Sequence, residues 1–178
     1  MTSRIVTVAA LMALPQMVGA GVGINASGNA AGNLFYGGSL GASFGDVDYI
    51  DIAPMVGMHL TPALSAGVSF LYRHVNDSRG TKTLKTNDYG TTLFTRYHFG
   101  PSFFLEADYE YLDHEFFRPD LSKDRKQFNS VLAGGGVTSS LGGRVSSYFS
   151  VLYNFSWDQD DSPYADPWTI RFGVGVGF

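Results

Sequence analysis

Residues 168–178 read Trp168-Thr169-Ile170-Arg171-Phe172-Gly173-Val174-Gly175-Val176-Gly177-Phe178. Every even position in this stretch is large and apolar, and every odd position is small or polar. A strict period of two marks a β-strand with two unlike faces. Its length suits the roughly 9–11 residues with which a tilted strand crosses a bilayer. The apolar face is continuous and ends in aromatics, whereas the other face is nearly all glycine with one arginine. A soluble sandwich also buries one face of such a strand, but it seldom caps that face with a terminal Phe.

The same alternation recurs upstream, with turn signals between the segments. Strands are predicted over Leu34–Phe44, Tyr49–Leu60, Leu64–Val75, Tyr89–Phe99, Phe103–Asp113, Phe128–Leu141 and Val145–Trp157, which with the last stretch makes eight. Pro54 has no N–H to give a ladder, so it must fall at a bulge or an unpaired site. Leu60–Leu64, Phe99–Phe103 and Leu141–Val145 read as tight turns. Asn76–Asn87, His114–Gln127 and Asp158–Pro167 read as long polar loops, and Gly45–Asp48 is a short exception. Short turns alternating with longer loops are the pattern of an up-and-down membrane barrel.

Composition agrees. The chain has 178 residues, 44% hydrophobic and 16% charged, with 22 glycines and no cysteine, which suits one domain without disulfides or thiol chemistry. No run of about 18 apolar residues exists beyond the N-terminus, so spanning helices are not expected. A net charge of −4 gives no reason to expect nucleic acid as a partner. Residues 1–20 read as a signal peptide: Arg4 supplies a positive start, Ile5–Val18 an apolar core, and Val18-Gly19-Ala20 a small-residue cleavage site. Residues 21–32 read as a flexible leader, and 33–178 as the barrel.

Arg171-x-Gly173-x-x-Val176-x-Phe178 resembles the C-terminal signal of outer-membrane β-barrels, the segment that the barrel-assembly machinery recognises in that family. With the strand pattern, the chain resembles the small OmpA/OmpX-like superfamily over 33–178. The resemblance implies an all-β, eight-stranded antiparallel up-and-down transmembrane barrel, with a cleaved signal peptide, in the outer membrane of a Gram-negative-type bacterium. Tyr72, Tyr89, Tyr111, Trp157 and Trp168 would form one aromatic girdle, and Phe99, Phe103 and Phe178 part of the other. With the chain ending at Phe178, no wall-anchoring domain is expected. On this reading Phe172→Lys blocks insertion and Gly173→Ser is milder.

The face opposite the aromatics collects Asp51, His59, Arg73, Arg96, His98, Glu106, Asp108, Glu110 and Arg171. Three carboxylates on one strand are costly in a narrow lumen unless paired. Arg73, Arg96 and Arg171 are the available partners, and a three-residue turn after Phe99 would set Arg96 opposite Glu106. An eight-stranded barrel is just wide enough for side chains to fill, so a charge-paired plug is expected, with an ion path along the three carboxylates as the alternative.

Catalysis has little support. None of His59, His74, His98 or His114 precedes a serine by two residues, the pair that marks the lipid A deacylases among small barrels. His74, Asp77 and Ser78 gather at a loop start, without a surrounding motif. Asp158, Asp160 and Asp161 offer oxygens to a cation but lack the glycine and glutamate of a dedicated calcium loop. No catalytic residue, metal or cofactor is expected. Expected partners are outer-membrane lipids and lipopolysaccharide, which Arg79, Lys82, Lys85, Arg118, Lys123, Arg125 and Lys126 would meet at the rim, and the assembly machinery during insertion. The expected role is structural or surface interaction through the loops. The alternative is an accessory subunit docked to an outer-membrane protein partner, with a narrow pore or a lipid-modifying enzyme behind it.

Overall fold

The computed structural model describes residues 33–43, 47–77, 84–118, 122–159, 162–164 and 167–177. The proposed signal peptide and leader, and Phe178, lie outside the described residues. Eight antiparallel strands form a closed barrel in chain order: β1 Leu34–Ser43, β2 Val47–His59, β3 Leu64–Asp77, β4 Leu84–Phe99, β5 Phe103–Phe117, β6 Lys123–Gly142, β7 Val145–Asn154 and β8 Trp168–Val176. Following the cross-strand partners of Leu34 round the ladder, through Met58, Thr95, Ala133 and Trp168, returns the path to β1 about ten residues from its start. Such a stagger accompanies strands tilted by roughly 35–45° to the barrel axis.

Tight turns close one end. Gly100 (φ 71°) sits in the β4–β5 turn, and Gly142 and Gly143 (φ 116° and 60°) make the β6–β7 turn, conformations that a side chain disfavours. In the β2–β3 turn the Thr61 hydroxyl accepts the Leu64 N–H at 2.9 Å. Pro54 stands opposite Gly38 of β1, while the β2–β3 ladder lapses at Ala53 and Pro54 and resumes in the same register. The missing N–H therefore falls where no ladder bond is required.

At the loop end the strands run further than the alternation suggested. β4 begins at Leu84 rather than Tyr89, β5 continues to Phe117, and β6 begins at Lys123 rather than Phe128. Much of the two expected loops is thus paired hairpin, with Glu115 opposite Arg125 and Phe117 opposite Lys123. β7 does the reverse and stops at Asn154, not Trp157.

The barrel is inverted relative to a soluble one. Leu40, Phe172 and Leu93 point outward with 68%, 58% and 58% of their surface exposed, while Arg96, Glu106 and Asp108 are 2–3% exposed inside. An apolar cluster of Phe35, Met55, Phe94, Phe104 and Tyr148 fills the lumen toward the turn end. Each of these side chains lies over an inward glycine of a neighbouring strand. A Cβ on Gly57 would overlap the Phe35 ring, one on Gly67 would come within 2.5 Å of Phe94, and one on Gly136 within 2.5 Å of Phe104. On Gly173 it would reach 2.5 Å from the Tyr148 ring, and on Gly37 2.9 Å from Met55. The inward glycines are the seats of the aromatic plug. Gly173→Ser, expected to be milder than Phe172→Lys, therefore carries a packing cost of its own, because a Cβ there would also run into the Gly38 carbonyl oxygen.

Candidate functional site: the lumen charge network and the mouth

The three carboxylates come from alternate positions of β5, which aims Glu106, Asp108 and Glu110 at the axis and Leu105, Ala107 and Tyr109 outward. The three-residue β4–β5 turn makes Arg96 and Glu106 register partners, and Arg96 Nε donates to Glu106 Oε2 at 2.8 Å. The Arg96 guanidinium is walled by aromatic faces, its carbon 4.6 Å from the Tyr148 centroid, 4.8 Å from Phe94 and 5.1 Å from Phe104. Arg96 thus joins the apolar plug below it to the charges above.

Arg171, on the far wall of the lumen, is the hub. It donates to Glu106 Oε1 at 3.1 Å, donates to Asp108 Oδ2 at shorter range, and lies 3.8 Å from Glu110 Oε2. Glu110 Oε1 accepts the Tyr164 hydroxyl at 2.6 Å, and the Arg73 guanidinium stands 5.5 Å from the centre of the Tyr164 ring. Arg73 pairs with Asp51 at 3.3 Å. A single chain of contacts therefore runs from Arg96 through Glu106, Arg171, Glu110, Tyr164 and Arg73 to Asp51, with Asp108 branching from Arg171. Charge pairing at this depth matters because a lone buried ion costs several kcal/mol.

Two buried polar contacts have no counterpart in the sequence reading, one inside this network and one beside it. Tyr164 belongs to the β7–β8 connection, which the sequence presents as an acidic loop; its hydroxyl reaches Glu110 while its carbonyl accepts from Trp157 Nε1 at 3.0 Å. Asp88 sits just before the predicted start of β4 and is 2% exposed, accepting from His114 Nδ1 at 2.9 Å and from the Glu115 N–H at 3.1 Å. The period-two placement of Thr86 and Asp88, continuing the inward row of Thr92 and Arg96, was the available signal.

Other expected residues separate from the network. His98 is inward but is the register partner of Phe104 in the apolar plug, 5.8 Å from its ring, with its Nε2 3.3 Å from the Ser65 hydroxyl and its ring 6.4 Å from His59. His98 therefore belongs to the basal floor, not to the carboxylate chain. Trp157 is not on the outer girdle, because β7 ends before it and its indole is turned to the loop. Phe155 takes that position instead, 67% exposed and 5.2 Å from the Tyr153 ring, which is in turn 5.0 Å from Trp168. Tyr72 and Tyr89 are outward, with ring centres 5.5 Å apart, and Tyr111 stands on the same belt. Phe99 and Phe103 stack at 5.9 Å at the opposite end. Of the assembly-signal residues, Arg171 and Gly173 face inward and Val176 outward, and Phe178 is outside the described residues.

At the rim, His74 Nδ1 lies 2.8 Å from Asn87 Oδ1 on the outer face. Ser78, Asp160 and Asp161 lie outside the described residues, so neither the His-Asp-Ser grouping nor the acidic calcium-like run is described as a whole. Among the described residues, no cluster of three metal-ligating side chains occurs.

No protein-family model and no curated protein matches the sequence. Among solved structures, the chain is similar to the N-terminal β-barrel domain of Pseudomonas aeruginosa OprF, with a TM-score of 0.55 and 17% identity over 81% of this chain and 96% of that one. The shared feature is the fold, a closed antiparallel eight-stranded barrel.

Proposed function

We propose that the chain is an integral β-barrel of a Gram-negative-type outer membrane, with a lumen closed by its own side chains, and that it acts as a structural or surface-interaction protein through its loop end. The inversion of polarity carries this reading: a wall of outward Leu, Ile, Val, Phe and Tyr encloses buried Arg96, Glu106, Asp108 and Glu110. In water, so large an apolar surface far exceeds the few hundred Å² that soluble monomers tolerate. In a bilayer the same surface meets hydrocarbon, and the closed ladder leaves no unpaired edge. The tight turns then face the periplasm and the longer hairpins the outside. The plug of Phe35, Phe94, Phe104 and Tyr148 beneath the charge network favours a closed scaffold over a pore.

The test is expression with the native N-terminus, density separation of the two membranes, and electrophoresis of unheated and boiled samples. An outer-membrane band that changes mobility on boiling supports the reading. Recovery in the soluble fraction overturns it.

A further inference from the structure

The extension of β4, β5 and β6 beyond the tyrosine belt creates a surface that β7 and β8 lack among the described residues. On the outward face, Lys85 and Asn87 of β4, Asp113, Glu115 and Phe117 of β5, and Lys123 and Arg125 of β6 stand in successive rows above Tyr72, Tyr89 and Tyr111. The outward positions of β7 and β8 end at Tyr153 and Trp168 and carry no cation.

The cations of this surface are held in place. Arg125 Nε donates to Asp113 Oδ2 at 2.9 Å and its NH2 to the Asp113 carbonyl at 3.0 Å, while its guanidinium carbon lies 5.2 Å from the Tyr89 centroid. Lys123 Nζ donates to Glu115 Oε2 at 2.8 Å and lies 5.5 Å from the centre of the Phe117 ring. The Asn87 N–H donates to the same Glu115 oxygen at 3.2 Å. These bonds fix both cations without using all their donors: an ammonium has three N–H and a guanidinium five. Lys85 is exposed on the same face. Three cations against two carboxylates, on a rigid paired hairpin and directly above an aromatic belt, match a ligand with acyl chains below and anionic oxygens above.

We propose that the outer face of β4–β6 is a binding site for a phosphorylated glycolipid of the outer leaflet, with Lys85, Lys123 and Arg125 on its phosphates and Tyr72, Tyr89 and Tyr111 at the boundary with its acyl chains. The site rests on the membrane reading given above. Among the described residues it sits on one side of the barrel, so the lipid is held at a fixed place on the wall rather than as a uniform annulus. Asp113 and Glu115 act as positioning residues, keeping the cations pointed along the wall.

The experiment uses the full barrel, refolded in detergent micelles and checked by its shift on boiling. Native mass spectrometry then counts bound lipid A carrying both phosphates, with dephosphorylated lipid A and phosphatidylglycerol as comparison probes. Wild type is expected to retain diphosphorylated lipid A in preference to the other two. Each neutralised cation near a charged surface weakens binding roughly fivefold, so Lys85→Gln/Lys123→Gln/Arg125→Gln together should lose about a hundredfold. Lys126→Gln, on the opposite face of the hairpin beside Phe128, should bind as wild type. Equal retention by wild type and the triple variant overturns the site. So does equal retention of the dephosphorylated lipid, or a loss with Lys126→Gln as large as with the triple variant. Retention of phosphatidylglycerol equal to lipid A overturns the glycolipid as its occupant. A wild-type chain that never gives a heat-shifted barrel overturns the membrane reading, a failure distinct from the other outcomes.

Discussion

Replacing Arg171 by methionine tests whether the charge network holds the barrel or merely decorates it. Arg171 reaches Glu106 at 3.1 Å, Glu110 at 3.8 Å and Asp108. After its removal Glu106 keeps Arg96 and Glu110 keeps the Tyr164 hydroxyl. Asp108, 3% exposed, loses the partner that neutralises it, so the cost concentrates on one carboxylate. Removing one partner of a buried ion pair costs about 3–5 kcal/mol. The assay is reversible urea unfolding of protein refolded into lipid vesicles, which bypasses the assembly machinery and so separates any part Arg171 plays in an assembly signal. Arg171→Met/Asp108→Leu should recover most of the loss, since replacing a whole buried pair with apolar groups is often neutral. A single variant within about 1 kcal/mol of wild type, or a double variant no better than the single, would refute the reasoning.

Four further expectations follow from the same geometry. Gly57→Ala places a Cβ into the Phe35 ring and should cost about 1–3 kcal/mol as an overpacked core does, with Gly57→Ala/Phe35→Leu restoring part of it in the same unfolding assay. Phe172→Lys, outward on β8, should cost about 2–4 kcal/mol if the residue lies near the bilayer midplane, whereas an unchanged midpoint would reverse the assigned face. Tyr164→Phe removes the donor to Glu110 and should destabilise by about 1.5–3 kcal/mol, read by urea midpoint. At the rim, the Lys123 hydrogen bond holds Glu115 below the ordinary carboxylate range, aided by the Asn87 N–H. A folded-state value below the unfolded one means stabilisation that is present above the unfolded pKa and fades as pH falls through the folded one. Solvent and salt at the rim screen this pairing, so the check is NMR titration rather than stability, and Lys123→Gln should move the Glu115 midpoint upward.

Most of the fold is legible because each wall strand has two unlike faces. In β5, Leu105, Ala107 and Tyr109 alternate with Glu106, Asp108 and Glu110, and no other phase separates them. The same alternation put Arg96 opposite Glu106 once the turn length was read as three. What escaped was decided elsewhere. Thr86, Glu115 and Arg125 read as loop, and Asp88 as lying outside β4, because a hairpin above the apolar wall carries polar residues on both faces, so the contrast that marks a wall strand disappears. The basal plug escaped because a glycine in a strand signals only a missing side chain; that Gly57 seats Phe35 and Gly173 seats Tyr148 follows from register between strands. Tyr164 escaped because no periodicity connects a loop aromatic to a carboxylate 54 residues earlier.

The chain has no cysteine, so single cysteines can be placed freely along the wall and labelled with a fluorophore. The deciding measurement is quenching of such labels by brominated lipid and by aqueous iodide, at Leu40, Tyr97, Leu105, Ile170, Phe172 and Val174 on the wall and at Lys123 and Arg125 above it. Strong lipid quenching at the six wall positions, with iodide reaching only the two rim positions, is the expected result. Iodide quenching along the wall, with no effect of lipid, would mean that the apolar face does not meet the bilayer, and the account would fail.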